Sequence, residues 1–234
     1  MDAHDEAASA VQEIPETNEI ASIATIVANP QRTFAGMAER PRFWAALIVI
    51  VVVMAVLSLL VFQSGVVAEQ TIAKLEAEGA PQAQIDATAM MFDSPVGLTM
   101  AIVGNVLGVP FALLVSAGLL LFMGNLLLGA TLRFPHYLSA VVYGSLVGLV
   151  DHVIRTVLVM SKGSLDIRLG LGNLFGEDLN YAARVLDSMT DPFLLWGMAV
   201  TAIGVASYAR KGFRLGVIAT LPVFVVTLLL SGMR

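Results

Sequence analysis

The feature that most constrains this chain is an apolar run from Phe43 to Phe62, which has 20 residues and no charged side chain. A helix of that length extends about 30 Å, roughly the thickness of the hydrocarbon core of a bilayer. Inside a bilayer the backbone polar groups must be satisfied internally, and a helix achieves this with its own hydrogen bonds. The run therefore predicts a membrane-spanning helix.

The composition is typical of a polytopic membrane protein. Of the 234 residues, 57% are apolar and 13% are charged, whereas a soluble domain carries about 25% charged residues. The chain has no cysteine, which excludes disulfides and thiolate metal sites. Its net charge of −5 argues against a nucleic-acid partner. The N-terminus lacks the basic start and early apolar core of a secretion signal, so we expect the first span to be retained.

Four more apolar blocks predict an all-α integral membrane protein with five transmembrane helices. The spans are expected at about 43–62, 109–129, 137–160, 193–209 and 215–233. Pro222 is expected to kink the last one.

The charge-free stretch 94–132 is ambiguous, because a single straight helix over it would be about 58 Å long. Gly108 and Pro110 favour a break. We therefore interpret residues 95–107 as a surface or re-entrant piece before one span; the alternative, a long kinked span, stays open.

Short helices are predicted before the first span. Residues 1–18 are acidic and unpatterned and are expected to form a disordered tail, so the membrane domain would cover 19–234. Apolar residues then recur at helical spacing up to Asn29-Pro30, where the helix should end. A second helix is expected from Arg32 to Arg40, with Phe34 and Met37 as its apolar contacts. Both helices are expected to lie along the membrane surface.

The two long polar connections are also expected to contain helix. In 63–93, alanine and glutamine favour a helix around Glu69–Glu78. In 161–192, an amphipathic surface helix is indicated by Leu179, Ala182, Ala183, Leu186 and Met189.

Basic residues predict the orientation. With five spans, one short loop carries Arg133 and the other carries Arg210, Lys211 and Arg214, without any acidic residue. The long connections on the other side mix bases with acids. Because short basic loops stay in the cytoplasm, the N-terminus is expected inside and the C-terminus outside. A further span within 94–132 would place both basic loops outside, which favours one span there.

Several segments resemble the Ypt-interacting protein (Yip) domain family over about residues 20–232. Before the first span these are Asn29-Pro30 with Phe34, then Pro41 and Phe43-Trp44. Around the fourth span they are Asp191-Pro192-Phe193, Trp196, Gly204 and Ser207. At the start of the third span they are Arg133-Phe134 and Tyr143. The resemblance implies five spans with the N-terminus inside.

Two departures separate the chain from the eukaryotic branch of that family, which is associated with Rab GTPases. The Asp-Leu-Tyr-Gly-Pro segment before the first span is missing, and Tyr143 is followed by Gly144-Ser145 without the family's proline. The chain therefore resembles the prokaryotic-type branch, and a Rab-linked function is not carried over. This branch implies the bacterial cytoplasmic (inner) membrane as the location.

Asp151, His152 and Arg155 are the first candidate site. Asp151 and Arg155 are four residues apart, so they share a helix face and can form an ion pair. Charges within spans are functional candidates by default. However, Asp151 lies about 21 Å along the helix from Tyr137, close to the interface, so an interfacial salt bridge is favoured over a proton or substrate path.

Asn125 and two glycines are candidates for helix packing. The Asn125 amide is expected to bond a neighbouring helix, which is favoured over a ligand contact. Gly144 and Gly148 lie four apart inside a span and predict close helix approach. Gly212 and Gly216 are instead interpreted as turn residues, because they straddle a charged loop.

Other patterns argue against an enzyme or a cofactor. Gly170, Gly172 and Gly176 have the wrong spacing for a phosphate loop and predict a flexible loop. The histidines His4, His136 and His152 lie on the tail and opposite membrane faces, so no metal site is predicted.

The sequence therefore favours a non-enzymatic membrane scaffold or adaptor without a cofactor. Its expected partners are the lipid bilayer and other membrane proteins or a second copy of itself. The alternative is a small transporter or channel subunit, in which Asn125, Asp151, His152 and Arg155 would line a path.

Overall fold

The computed structural model describes residues 18–175 and 180–233, and within these ranges the chain is helical without a β-strand. Five of the helices found there are long and apolar enough to cross a membrane. The predicted all-α fold with five membrane-spanning helices is therefore confirmed. The expected tail lies outside the described residues, except for Asn18.

The α-helices of the described residues follow in chain order. They are α1 (Glu19–Thr25), α2 (Pro30–Gly36), α3 (Trp44–Gln63), α4 (Val66–Ala77), α5 (Gln82–Phe92), α6 (Pro95–Leu121), α7 (Phe134–Lys162), α8 (Tyr181–Met189), α9 (Pro192–Ala209) and α10 (Phe213–Gly232). The spans are α3, α6, α7, α9 and α10. Helices α4 and α8 confirm the two helices expected in the connections, although Leu179 lies outside the described residues. Helix α5 was not predicted.

Helix α6 corrects the expected break near Gly108. It runs without interruption from Pro95 to Leu121 and continues as a π-helix over Phe122–Leu127. The Ser94 side chain accepts a hydrogen bond from the Gly97 amide and begins the helix. Pro110 removes one backbone hydrogen bond, a loss that membrane helices tolerate. Residues 95–107 are therefore the first part of one long span and not a separate surface or re-entrant piece.

The length of this element exceeds what a bilayer requires. Helix α6 and its π-helical end together have 33 residues, or about 50 Å, against roughly 30 Å of hydrocarbon. The excess has to be accommodated by tilt or by projection beyond the bilayer.

Helix α7 is the centre of the bundle. It packs against α3, α6 and α9, and α9 packs in turn against α10. Within the spans, 56% of the α7 window is buried inside the protein, against 11% for α3 and 17% for α6. Helices α3 and α6 therefore have few fully buried residues and lie towards the outside of the bundle.

Helix α2 carries Phe34, which was expected to make an apolar contact, into the protein; the location of the two N-terminal helices along the membrane surface stays a prediction. Helix α2 ends at Gly36, earlier than expected, and Phe34 is completely buried. The Phe34 ring meets the rings of Tyr143 and Tyr208 edge-on, with centroid distances of 5.9 and 5.4 Å. A Cβ at position 204 would lie 2.8 Å from Phe34, so Gly204 makes room for this ring. The apolar side of α2 thus packs into the protein.

The connecting segments gather at two faces. At the N-terminal face, defined by α2 and the short loops 128–133 and 210–212, Lys211 Nζ donates to the Gly129 carbonyl at 3.1 Å. At the opposite face, defined by α4, α5, α8 and 163–175, Gln70 Nε2 donates to the Gly163 carbonyl at 3.0 Å. Each face is thus tied together by contacts between its own connections.

Candidate functional site

The most concentrated group of charges in the described spans lies at the opposite face, around Arg155. Its Nε donates to the two carboxylate oxygens of Asp151 at 2.8 and 2.9 Å. Its Nη1 donates to the carbonyl of Ile167 at 2.6 Å. Its Nη2 forms an ion pair with Asp191. We call this group the Arg155 bridge.

Asp191 is the partner that sequence reasoning missed. Its second carboxylate oxygen accepts hydrogen bonds from the amides of Phe193 and Leu194 at 2.9 and 3.2 Å, and so caps the start of α9. Negative charge at a helix N-terminus is stabilised by the free amides and the helix dipole. One carboxylate therefore begins α9 and anchors it to α7.

The bridge is only partly accessible to solvent. The side chain of Arg155 is 28% exposed and that of Asp191 is 5% exposed. His152 Nδ1 lies 3.5 Å from Asp151, and the His152 side chain is half-exposed. This arrangement can hold α7, α9 and the segment around Ile167 together, in line with the predicted pairing of Asp151 with Arg155. A role of Asp151, His152 and Arg155 in a proton or substrate path stays a prediction.

A second carboxylate orders the glycine segment that was expected to be a flexible loop. Asp187 of α8 is buried and accepts hydrogen bonds from the amides of Gly170 and Gly172, both at 3.0 Å. A Cβ at position 170 would lie 2.0 Å from the Asp187 carbonyl oxygen, and one at position 172 would lie 2.6 Å from its Cβ. Glycine is required at both positions by this close approach. Gly176 lies outside the described residues.

Asn125 lies at the N-terminal face, where it fixes the turn between α6 and α7. Its amide nitrogen donates to the Leu132 carbonyl at 2.7 Å, and its oxygen accepts from the Leu132 amide at 3.1 Å. The Tyr137 hydroxyl donates to the same oxygen at 2.8 Å. Since Asp151 lies about 21 Å further along α7 than Tyr137, Asn125 and the Arg155 bridge do not form one site.

The glycine predictions are partly corrected. A Cβ on Gly144 would lie 2.0 Å from Thr201 Oγ1 and 2.8 Å from the Gly197 carbonyl, so α7 and α9 cross closely there. A Cβ on Gly148 would meet nothing within 4 Å, so Gly148 makes no close helix contact. Gly216, interpreted as a turn residue, instead packs against the backbone of Ala202, where a Cβ would lie 1.9 Å from the carbonyl oxygen.

The motif residues divide between the two faces. Pro30 is the first residue of α2, which follows Asn29 and carries Phe34 into the bundle. Pro192 is the first residue of α9, next to Phe193 and the capping Asp191. Trp196 is nearly half exposed on α9. These motifs therefore mark the points where an N-terminal helix and the fourth span begin.

No group of three or more side chains suited to hold a metal ion occurs within residues 18–175 and 180–233. The family model described as the Yip1 domain matches residues 24–233 of the chain. No curated protein and no solved structure matches the chain.

Proposed function

We propose that this chain, which belongs to the Yip1 domain family, is a non-enzymatic membrane scaffold or adaptor that binds other membrane proteins through its spans. The chain is a membrane protein by its family and by its five apolar helices. The observation that carries the adaptor role is the outward-facing surface of α3 and α6.

Few residues of these two spans are fully buried in their own bundle. Large apolar side chains point outward along α3 at Ile48, Val52 and Val56, and along α6 at Phe111 and Leu114. In a bilayer, helices associate through close van der Waals packing at small residues, and Gly104 and Gly108 of α6 have open space around them. Two adjacent spans with uncovered faces therefore suit contact with another membrane protein.

The polar groups of the described spans support a non-enzymatic role. The nitrogens Nε, Nη1 and Nη2 of Arg155 contact Asp151, Ile167 and Asp191 within the same chain. Asn125 is likewise engaged with Leu132 and Tyr137. These contacts stabilise the bundle. The four polar residues that would line a path in the transporter alternative lie in two separate places.

The proposed location is the bacterial cytoplasmic (inner) membrane, with the N-terminus in the cytoplasm and the C-terminus outside. The support is the basic character of the two short loops, Arg133 in one and Arg210 with Lys211 in the other. Short basic loops are retained in the cytoplasm.

The adaptor role is tested by photocrosslinking in native membranes. A photoreactive residue replaces Val52 of α3 or Val115 of α6, and Val226 of α10 serves as the control because its side chain is similarly exposed. We expect positions 52 and 115 to capture a common set of membrane proteins that position 226 does not capture. The captured proteins should stop copurifying with a Val52→Trp variant.

Capture of lipid alone, or of a second copy of this chain alone, would contradict the adaptor role. The same proteins captured equally from position 226 would also contradict it, because the contact would then not belong to α3 and α6.

A further inference from the structure

Basic side chains are concentrated at the N-terminal face, which includes the segment 37–43 before α3 and the first residues of α10. Among the described residues, the acidic side chains of this face are Glu19 and Glu39. Its basic side chains are Arg32, Arg40, Arg42, Arg133, Arg210, Lys211 and Arg214. At the opposite face, the described acidic side chains outnumber the basic ones. The excess positive charge of the described residues therefore belongs to one end of the bundle.

Hydrogen bonds hold the basic segments of this face against one another. The Ser139 hydroxyl of α7 donates to the Arg42 carbonyl at 3.1 Å, which ties the segment before α3 to α7. Arg133 directly precedes α7 as its N-cap residue. Lys211 Nζ donates to the Gly129 carbonyl at 3.1 Å, which ties the two short loops together. The cations carried by these segments therefore form one continuous surface.

Most of these cations have no anionic partner within the described part of the chain. Six of the seven basic residues are exposed and form no ion pair with a described residue, namely Arg32, Arg40, Arg133, Arg210, Lys211 and Arg214. By contrast, Arg155 and Arg168 at the opposite face are each paired with a carboxylate of the same chain. The N-terminal face therefore has positive charge that an external anion can neutralise.

The position of this surface favours lipid head groups over an acidic protein segment as the source of that anion. Trp44 begins α3 and is 65% exposed, and exposed tryptophans at span ends lie at the level of the head groups. Arg133 lies just before α7, and Arg214 is the second residue of α10. The loops 128–133 and 210–212 are too short to carry their side chains far from the bilayer, so phosphates are within reach.

We propose that the N-terminal face binds anionic phospholipids of the surrounding bilayer, with lipid phosphates beside Arg133, Arg214 and their basic neighbours. The occupant is a phospholipid whose phosphate is not balanced by an ammonium in the same head group, as in phosphatidylglycerol. Arginine suits this role because its guanidinium can donate two parallel hydrogen bonds to one phosphate. This surface is separate from the proposed protein contacts of α3 and α6 and does not depend on them.

The test measures lipid binding to the purified, delipidated full-length protein by native mass spectrometry. The probes are phosphatidylglycerol, phosphatidylethanolamine and phosphatidylcholine with identical acyl chains. Residues 1–17 carry five acidic side chains, so the full-length chain is used and lipid has to compete with them. We expect phosphatidylglycerol to bind roughly tenfold more tightly than either of the others, as an attraction to more than one basic side chain predicts. Its advantage should fall as the salt concentration is raised, because salt screens exposed charges.

Paired substitutions locate the lipid on the N-terminal face. Arg133→Gln combined with Arg214→Gln should weaken phosphatidylglycerol binding roughly fivefold. Lys74→Gln combined with Lys162→Gln removes the same charge from exposed residues of the opposite face and should leave binding unchanged. Arg133→Lys combined with Arg214→Lys keeps both charges and should retain most of the binding, which separates loss of charge from a change of structure.

Equal binding of the three lipids would overturn the proposal and would favour an acidic protein segment as the occupant of this face. A preference that is undiminished at high salt would also overturn it, because the attraction would then not be electrostatic. An equal loss of binding in the Lys74→Gln and Lys162→Gln variant would show that the lipid does not lie at the N-terminal face.

Discussion

Arg155 connects three parts of the chain because its side chain carries nitrogen donors in a rigid planar fork. It reaches Asp151 on its own helix, the carbonyl of Ile167 and Asp191 at the start of α9. A lysine has a single nitrogen on a flexible stem and cannot reproduce this geometry. Removing the guanidinium would leave Asp151 and Asp191 as two poorly exposed carboxylates without their cation.

We expect Arg155→Ala to lower the free energy of unfolding by about 2 to 3 kcal/mol, since breaking a buried ion pair leaves an uncompensated charge. Lys74→Ala is the matched control. Lys74 and Glu78 have the same four-residue spacing on a helix, but Lys74 Nζ lies 4.0 Å from Glu78 Oε1 and both side chains are largely exposed. That change should stay within about 0.5 kcal/mol. Thermal unfolding in detergent measures both variants, and equal shifts would contradict the role of the Arg155 bridge.

The sequence predicts only the local half of the Arg155 bridge. Asp151 and Arg155 are four residues apart on one helix, so helical periodicity alone brings them together. Asp191 lies beyond a long connection, and its contact with Arg155 depends on how α9 packs against α7. The hydrogen bonds from the Gly170 and Gly172 amides to Asp187 likewise join residues that are distant in sequence. Such contacts follow from tertiary packing and have no signature in residue spacing.

At the scale of helices, close crossings depend on which face a glycine occupies. Gly144 and Gly148 lie four residues apart on α7, yet only Gly144 meets the backbone of α9. The spacing predicts a shared face, but not how far the contact extends along the helix. Gly216 shows the converse, because it packs closely against Ala202 although its glycine partner in sequence lies in a loop.

The contrast between Gly144 and Gly148 gives a direct test. Gly144→Ala should lower the free energy of unfolding by about 1 to 3 kcal/mol, because the new methyl group overlaps Thr201 and forces the helices apart. Gly148→Ala meets no atom within 4 Å and should change stability by less than about 0.5 kcal/mol. Thermal unfolding midpoints of the two variants, measured side by side, distinguish them; an equally stable Gly144→Ala variant would refute the close crossing.

The long helix α6 shows why its boundary was not predicted. Asp93 and Arg133 flank the stretch 94–132, but it is too long for one straight span and has no charged residue to mark a break, so the interpretation relied on Gly108 and Pro110. Membrane helices tolerate proline because neighbouring groups or small backbone adjustments satisfy the carbonyl that it leaves without its usual partner, and α6 continues through Pro110. The number of spans could be predicted from apolar length, whereas the continuity of this one could not.

At the scale of the whole molecule, an odd number of spans places the two ends of the membrane domain on opposite faces. Helices α1 and α2 lie at the face of the short basic loops, and α10 runs from that face towards the other. Reporters fused to the two ends of the membrane domain would therefore lie on opposite sides of the membrane.

We expect a reporter that is active only in the cytoplasm to be silent when fused after Arg234, because the basic loops retain the N-terminal face inside. A reporter that is active only outside should give a signal at the same position. Fusion of each reporter before α1 provides the reciprocal control. The reverse pattern at both ends would contradict the proposed orientation.

The position of Phe34 has a consequence for how the protein is made. The ribosome delivers this residue early, but the tyrosines that enclose its ring, Tyr143 and Tyr208, belong to the third and fourth spans. Chains grow from the N-terminus, so Phe34 cannot complete its contacts until the fourth span has been made. A chain truncated before α9 would lack Tyr208 and would leave the Phe34 ring with only the Tyr143 contact.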